Sequence, residues 1–307
     1  MTASLPEALG TCPDKRDWRL VAERARSAQI QIVQDPDSPL TPTSVQALSV
    51  AAVKHAQRFA CDDPAALAKK LYQYHRIPLT AGWKRLWPDV PSVVSFVEAA
   101  CAAKGLEPLG TRAGWSQFAS RHQTWVVWHR LPPSGQQVRS PPRQKLYISP
   151  GPTALGALLP ELFASLSNSA AVSLKVGGSA CNLLRPDKLV VYFDRKDDLH
   201  DFAEQLFART AGIPAQGVPF SFPIDSDGLL SWGLDPLSAS EEATAEQMSW
   251  RWSLCQQVAL AMVDRSPPYI AMEPWQRAIA WLRGFSIDAR HCVWRFPAGE
   301  QAPSKAG

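Results

Sequence analysis

Residues 145–193 read KLYISPGPTALGALLPELFASLSNSAAVSLKVGGSACNLLRPDKLVVYF, and the alternation within this stretch decides the fold. It holds three short runs of strand character: Lys145 to Ser149 (KLYIS), residues 171–176 with VSLKV at their end, and Lys188 to Phe193 (KLVVYF). Side chains alternate between the two faces of a strand. Lys145 and Tyr147 therefore share a face, opposite Leu146 and Ile148. Ser173 and Lys175 share one, opposite Val172, Leu174 and Val176. Lys188 and Tyr192 share one, opposite Leu189, Val191 and Phe193. If the strands are neighbours, their lysines and tyrosines gather above one sheet, and such a cluster of like charge is costly unless an anion sits in it.

Outward from this stretch the pattern is α+β. Thr153 to Ser165 reads as a helix, and Asp198 to Thr210 as another with Leu199, Phe202, Leu206 and Phe207 inward. Trp125 to Leu131 (WVVWHRL) reads as a strand. The Pro-, Ser- and Gly-rich loop Pro132 to Gln144 is the expected boundary. Residues 16–104 read as helical. From Ser44 to Ala60 the stripe is Val45, Leu48, Ala52, Ala56 and Phe59, and a further helix is expected after Pro91 with Ser92 as its cap. Gln216 to Pro236 reads as irregular loops, Glu246 to Val263 as a buried helix and Pro274 to Arg283 as another. The expected organisation is a mostly helical region 1–131, the loop 132–144, and a core 145–300 in which a mixed sheet packs with helices.

Composition narrows the function classes. The chain has 307 residues, 46% hydrophobic and 20% charged, which is the balance of a folded protein with a sizeable core. A net charge of +4 fits an anionic ligand and is too mild for nucleic acid. Most of the twelve tryptophans are expected in the core. The six cysteines, at 12, 61, 101, 181, 255 and 292, form no CxxC pair, so no metal site is expected and free thiols in a reducing cytoplasm are. No apolar run is long enough for a membrane span, and the first residues lack the pattern of a signal peptide.

The order KLYISP, SLKV, LRPDKLVVYF, GIPAQGVPFSFPID, GLDP and SWRWSLCQQVALAM resembles the HopA-type effector family of plant-pathogenic bacteria over roughly residues 145–265. Relatives of that family act as stand-alone lyases in class V lanthipeptide and thioamitide-like peptide (RiPP) biosynthesis. A more distant similarity is to phosphothreonine lyases and to the lyase domains of class III lanthipeptide synthetases. Their Lys-Leu-His, Phe-Lys and Lys-x-x-x-x-Tyr segments are matched here by Lys145-Leu146-Tyr147, Leu174-Lys175 and Lys188 to Tyr192, with tyrosine in the place of the histidine and the last spacing one residue shorter.

The resemblance implies a cytoplasmic lyase that eliminates phosphate from phosphoserine or phosphothreonine by β-elimination, leaving dehydroalanine or dehydrobutyrine. It implies a phosphorylated precursor peptide as substrate, a separate kinase as partner, no cofactor and no metal. The helical N-terminal region would bind a leader peptide or the partner. The chemistry needs a base for the α-proton, cations for the phosphate, and a donor for the departing oxygen. Lys175 is the expected base, made reactive by the like charges of Lys145 and Lys188 and by apolar neighbours. Lys145, Arg185, Lys188 and Arg251 are the expected phosphate ligands. Tyr147, Tyr192 and His129 are the candidate donors.

Each residue also has an ordinary reading. Lys145 and Lys188 could be solvated at strand starts, Lys175 could stand on a surface face, Arg251 could pair with Glu241, Glu242 or Glu246, and the tyrosines, His129 and the tryptophans could be core. Gly177-Gly178 reads as a turn. The competing function is a non-catalytic module that binds a phosphopeptide or partner protein, as a pseudoenzyme or a secreted effector.

Overall fold

The computed structural model describes residues 45–107, 114–120, 124–131, 142–235, 249–265, 271–284, 286–288 and 293–295. Residues 16–44, most of the Pro-rich loop, residues 246–248 and the glutamates suggested for Arg251 lie outside them. The described chain falls into two compact units. One takes Val50–Tyr72 together with the residues from 249 onward, and the other takes residues 45–49 with Gln73–Asp235. The strands of 115–130 join the same sheet as those after 144, so the Pro-rich loop lies within one sheet rather than between domains.

Four helices come first: α1 (Val45–Gln57), α2 (Pro64–Gln73), α3 (Ala81–Leu86) and α4 (Val90–Ala102). In α1 the stripe Val45, Leu48, Ala52 and Ala56 is buried as its spacing predicts. Phe59 falls beyond the helix end and is exposed. The cap of α4 is Asp89 and not Ser92. Its carboxylate accepts the Ser92 N–H at 3.0 Å, while Pro91 occupies the first turn, where its missing N–H costs nothing.

The sheet has seven strands in the order β1-β2-β4-β5-β3-β7-β6. Their ranges are β1 Trp115–Ala119, β2 Trp125–Arg130, β3 Gln144–Ile148, β4 Ser173–Gly177, β5 Leu189–Phe193, β6 Phe222–Pro223 and β7 Leu230–Leu234. Every pairing is antiparallel, where a mixed sheet was expected from sequence. The reason is β5, which inserts between β3 and β4 and runs against both.

On the back face Leu146, Ile148, Leu174, Val176, Leu189, Val191, Phe193 and Trp128 are buried. They pack on α5 (Leu155–Ser167) and α7 (Lys196–Arg209), with Phe163 edge-on to Trp128 at 5.5 Å and Phe202 against Phe193 at 5.4 Å. Leu199, Phe202, Ala203 and Leu206 form the buried stripe of α7. Phe207, expected inward, lies about 100° round the helix from Leu206 and is exposed.

Two segments differ further from expectation. Gln216 to Pro236 contains β7, all of whose residues are buried; its two-residue alternation is masked by Gly233 and by the Gly-Leu-Asp-Pro ending. Gly177-Gly178 leads not into the next strand but into a short helix, α6 (Ala180–Leu183). Gly177 is fixed by close approach, since a Cβ there would lie 2.7 Å from the Asn182 main-chain carbonyl carbon.

In the other unit, α8 (Trp250–Val263) packs with α9 (Pro274–Gly284). The buried Arg277 guanidinium links them, donating to the carbonyls of Met262 and Met272. A hairpin of β8 (Ser286–Asp288) and β9 (Val293–Arg295) follows. Among the described residues Cys61, Cys101, Cys181 and Cys255 are free thiols, and no helix is long and apolar enough to cross a membrane.

Candidate active site on the front face of the sheet

The strand registers turn the front face into a grid. One row runs Ser116, His129, Ser173, Tyr192, Lys145, Gly233 across β1, β2, β4, β5, β3 and β7. The next runs Phe118, Val127, Lys175, Val190, Tyr147, Ser231. A third begins with Trp125 beside Gly177, whose N–H donates to the Lys188 carbonyl at 2.9 Å. Lys145, Tyr147, Lys175, Tyr192 and His129 thus share one face, as alternation predicts.

Tyr192 is the centre of this group. The Lys175 ammonium lies 4.9 Å from the centroid of its ring and the Lys145 ammonium 5.2 Å, both within cation–π range. Tyr147, Val190 and Val218 complete a buried cluster around it. Lys145 is buried and its Nζ lies 2.5 Å from Asp235 Oδ2. Burial opposes its charge, but the Tyr192 and Tyr147 phenols and the Asp235 carboxylate outweigh that and hold its pKa well above the ordinary lysine value. Asp235 is held in place by main-chain bonds on both sides: its N–H donates to the Arg143 carbonyl at 3.0 Å, and its carbonyl accepts from Arg143 Nε at 2.8 Å.

Lys175 sits mid-strand and half-buried. His129 is stacked on Phe118, with ring centroids 4.9 Å apart. Burial first, and then the neighbouring Lys175 ammonium, hold His129 below its ordinary pKa, which favours the neutral ring.

Lys188 occupies a different place. Four residues along β5 separate it from Tyr192, roughly 13 Å of strand. Its ammonium is fully buried and donates to the Pro150 carbonyl at 2.7 Å and to the Gln216 side-chain oxygen. Gln216 in turn donates to the carbonyls of His75 at 2.6 Å and Leu184 at 3.3 Å. Burial pulls the Lys188 pKa down to about 7, against the pull of Asp187. The expectation that Lys188 crowds with the other two amines at one phosphate is not what the geometry gives; this lysine clamps the strand ends.

Arg185 lies over the Trp125 ring at 5.4 Å and makes a two-pronged ion pair with Asp187, at 2.8 and 2.9 Å. Arg251 belongs to the other compact unit, where it is buried, lies over the Tyr72 ring at 4.6 Å and donates to the Tyr72 carbonyl at 3.0 Å. Asp235 and Gln216 are polar partners that the sequence reading passed over. For Asp235 the signal was available: Ser231, Gly233 and Asp235 alternate, so once LSWGL is read as a strand the carboxylate lands on the lysine face. Among the described residues no group of His, Cys, Asp or Glu is placed to hold a metal ion.

No family model matches the chain, and no curated protein matches it. Among solved structures it is similar to the effector protein from Pseudomonas syringae pv. syringae strain 61, with a TM-score of 0.48 and 14% identity over 80% of this chain and 96% of that one. It is similar to the effector protein from Pseudomonas syringae pv. tomato strain DC3000, with a TM-score of 0.44 and 13% identity over 80% and 99%. A third similarity is to the type III effector and phosphothreonine lyase OspF from Shigella flexneri, with a TM-score of 0.33 and 14% identity over 40% and 70%. Likeness of this degree says nothing about chemistry.

Proposed function

We propose that the front face is the active site of a lyase that eliminates phosphate from phosphoserine or phosphothreonine in a ribosomally made precursor peptide. The observation that carries this reading is the placement of the Lys175 and Lys145 amines 4.9 and 5.2 Å from the centroid of one tyrosine ring, on a face that also carries Val127, Val190 and Tyr147. A candidate base and a cation thereby converge on one aromatic ring that carries a hydroxyl.

In this reading the Lys175 amine takes the α-proton of the phosphorylated residue. The C–H electrons become the Cα=Cβ double bond, and the Cβ–O bond breaks with its pair going to phosphate. The Tyr192 hydroxyl gives its proton to the departing oxygen and later recovers one from Lys175, so the net transfer is of the α-proton to phosphate. Lys145, charged throughout, balances the leaving dianion. Tyr147 closes the apolar wall, and neutral His129 offers a hydrogen bond to the substrate backbone. Lys188 and Arg185 serve the frame of the site. A separate kinase supplies the phosphorylated peptide.

A second reading is favoured by Tyr147, which stands in the place of the histidine, the expected general acid, in the Lys-Leu-His segment of the resembled lyases. Such a site suits a module that binds a phosphopeptide without turnover. Mass spectrometry of phosphoserine and phosphothreonine peptides incubated with the protein separates the two. Loss of phosphoric acid is expected for the lyase. Loss smaller by one water indicates hydrolysis, and peptide retained unchanged indicates the binding module; either result overturns the elimination reading.

A further inference from the structure

The sheet protects one of its edges and leaves the other open. At one edge β6 is two residues long and ends in Pro223, and both features discourage further pairing. At the other edge β1 has five residues, WSQFA, with no charge, proline or glycine, and among the described residues no further strand pairs with it. Its register shows which groups face outward. In an antiparallel ladder every second residue exchanges its hydrogen bonds with the partner strand. The Leu131 N–H donates to the Gly114 carbonyl at 2.7 Å and the Ser120 N–H to the Trp125 carbonyl at 2.9 Å, so the residues bonded to β2 are Gly114, Ser116, Phe118 and Ser120. Trp115, Gln117 and Ala119 therefore turn their N–H and C=O groups toward the open edge. Beside that edge Phe118 is 45% exposed on the front face, and Gln117 is exposed on the back.

We infer that two copies of this chain pair through β1, edge to edge and antiparallel, about a two-fold axis at Gln117. The inference stands apart from the lyase reading. The outward-facing residues are centred on Gln117, so this axis joins Gln117 to Gln117 of the partner subunit and Trp115 to Ala119 of the partner subunit. Every outward N–H and C=O of β1 then finds a bond, and a register shifted by two residues leaves one end unpaired. The axis stands perpendicular to the sheet, so the front faces of both copies look the same way. Phe118 comes to lie opposite Ser116 of the partner subunit, large beside small, and diagonal to Phe118 of the partner subunit, which covers the exposed ring. Nothing on the strand repels a second copy. Edges that must stay single carry lysine, other charges or proline, and WSQFA carries none. A contact of this size gives a dimer of micromolar rather than nanomolar strength.

The test is sedimentation velocity of the full chain over a concentration series from about 1 to 200 µM, the range for a contact of this class. The wild type should pass from the mass of one chain to twice that mass. Gln117→Pro removes an outward N–H and keeps every β1–β2 bond, and should weaken pairing about 30-fold, the usual worth of two backbone hydrogen bonds. Gln117→Lys and Gln117→Glu each set like charges opposite one another across the axis, and each should weaken pairing about 5-fold. An equimolar mixture of these two variants should pair at least as well as the wild type. The charged variants change an exposed side chain, so they decide the matter even if the proline variant does not fold. A wild type that stays monomeric throughout the series overturns the inference. So does a dimer that the charged variants leave unchanged, or a mixture that pairs no better than either variant alone.

Discussion

Losing Asp235 and Lys145 together should cost far less than the sum of losing each alone. Their charged atoms are 2.5 Å apart, and the side chains keep only 14% and 7% of their exposure. Removing one partner of a buried ion pair typically costs about 3–5 kcal/mol, because the other charge is left without compensation. Asp235→Asn strands the deeper cation and should cost about 3 kcal/mol, the lower end because Asp235 keeps some solvent. Lys145→Met strands the better-solvated carboxylate while its chain still covers the Tyr192 ring, and should cost about 2 kcal/mol. The double variant removes both charges and should also cost about 2 kcal/mol, which leaves a coupling of about 3 kcal/mol. Urea unfolding of all four proteins, with equal slopes against denaturant, measures this cycle. Additive losses, a double variant about 5 kcal/mol less stable than wild type, would refute the argument that each charge is there to satisfy the other.

Other consequences follow from single groups. Lys188 has a folded pKa pulled down to about 7 from its ordinary 10.5, so between those values the unfolded chain binds the extra proton. Stability should therefore rise with pH from about 7 to 10.5 through this lysine, its cost being fully present below 7. In Lys188→Met that rise, up to about 1.4 kcal/mol per pH unit, should disappear from the stability–pH curve, and an unchanged slope would show that the amine is not neutral in the fold. Tyr192→Phe should lower elimination by about 100-fold with little loss of stability, whereas Tyr147→Phe should change it far less; equal effects would move the proton donor elsewhere. Gly177→Ala places a methyl 2.7 Å from the Asn182 backbone, and should cost about 1–3 kcal/mol in thermal or urea unfolding.

The lysine face was legible because period-two alternation is a backbone property that sequence preserves: Lys145, Lys175 and Tyr192 come together as KLYIS, VSLKV and KLVVYF read. What alternation cannot give is position along the strand. Lys188 shares the face of Tyr192 and still lies just before the far end of β5, where the Pro150 carbonyl and the Gln216 side-chain oxygen accept its hydrogen bonds. Those acceptors come from remote segments, and no local pattern announces them. β1 and β7 were missed for a related reason, since WSQFA and LSWGL are short and carry few β-branched residues; pairing with β2 and with β3 makes them strands. The cap of α4 went to Ser92 because Pro91 looked like a stop, while Asp89 satisfies the first turn from one residue before the helix.

The central claim is that the Lys175 amine removes a carbon-bound proton. The direct measurement is the elimination rate on a phosphoserine peptide for wild type and Lys175→Ala, with circular dichroism confirming that both are folded. The account predicts a fall of at least about 1,000-fold for the variant. A folded Lys175→Ala protein that releases phosphate at the wild-type rate would contradict it.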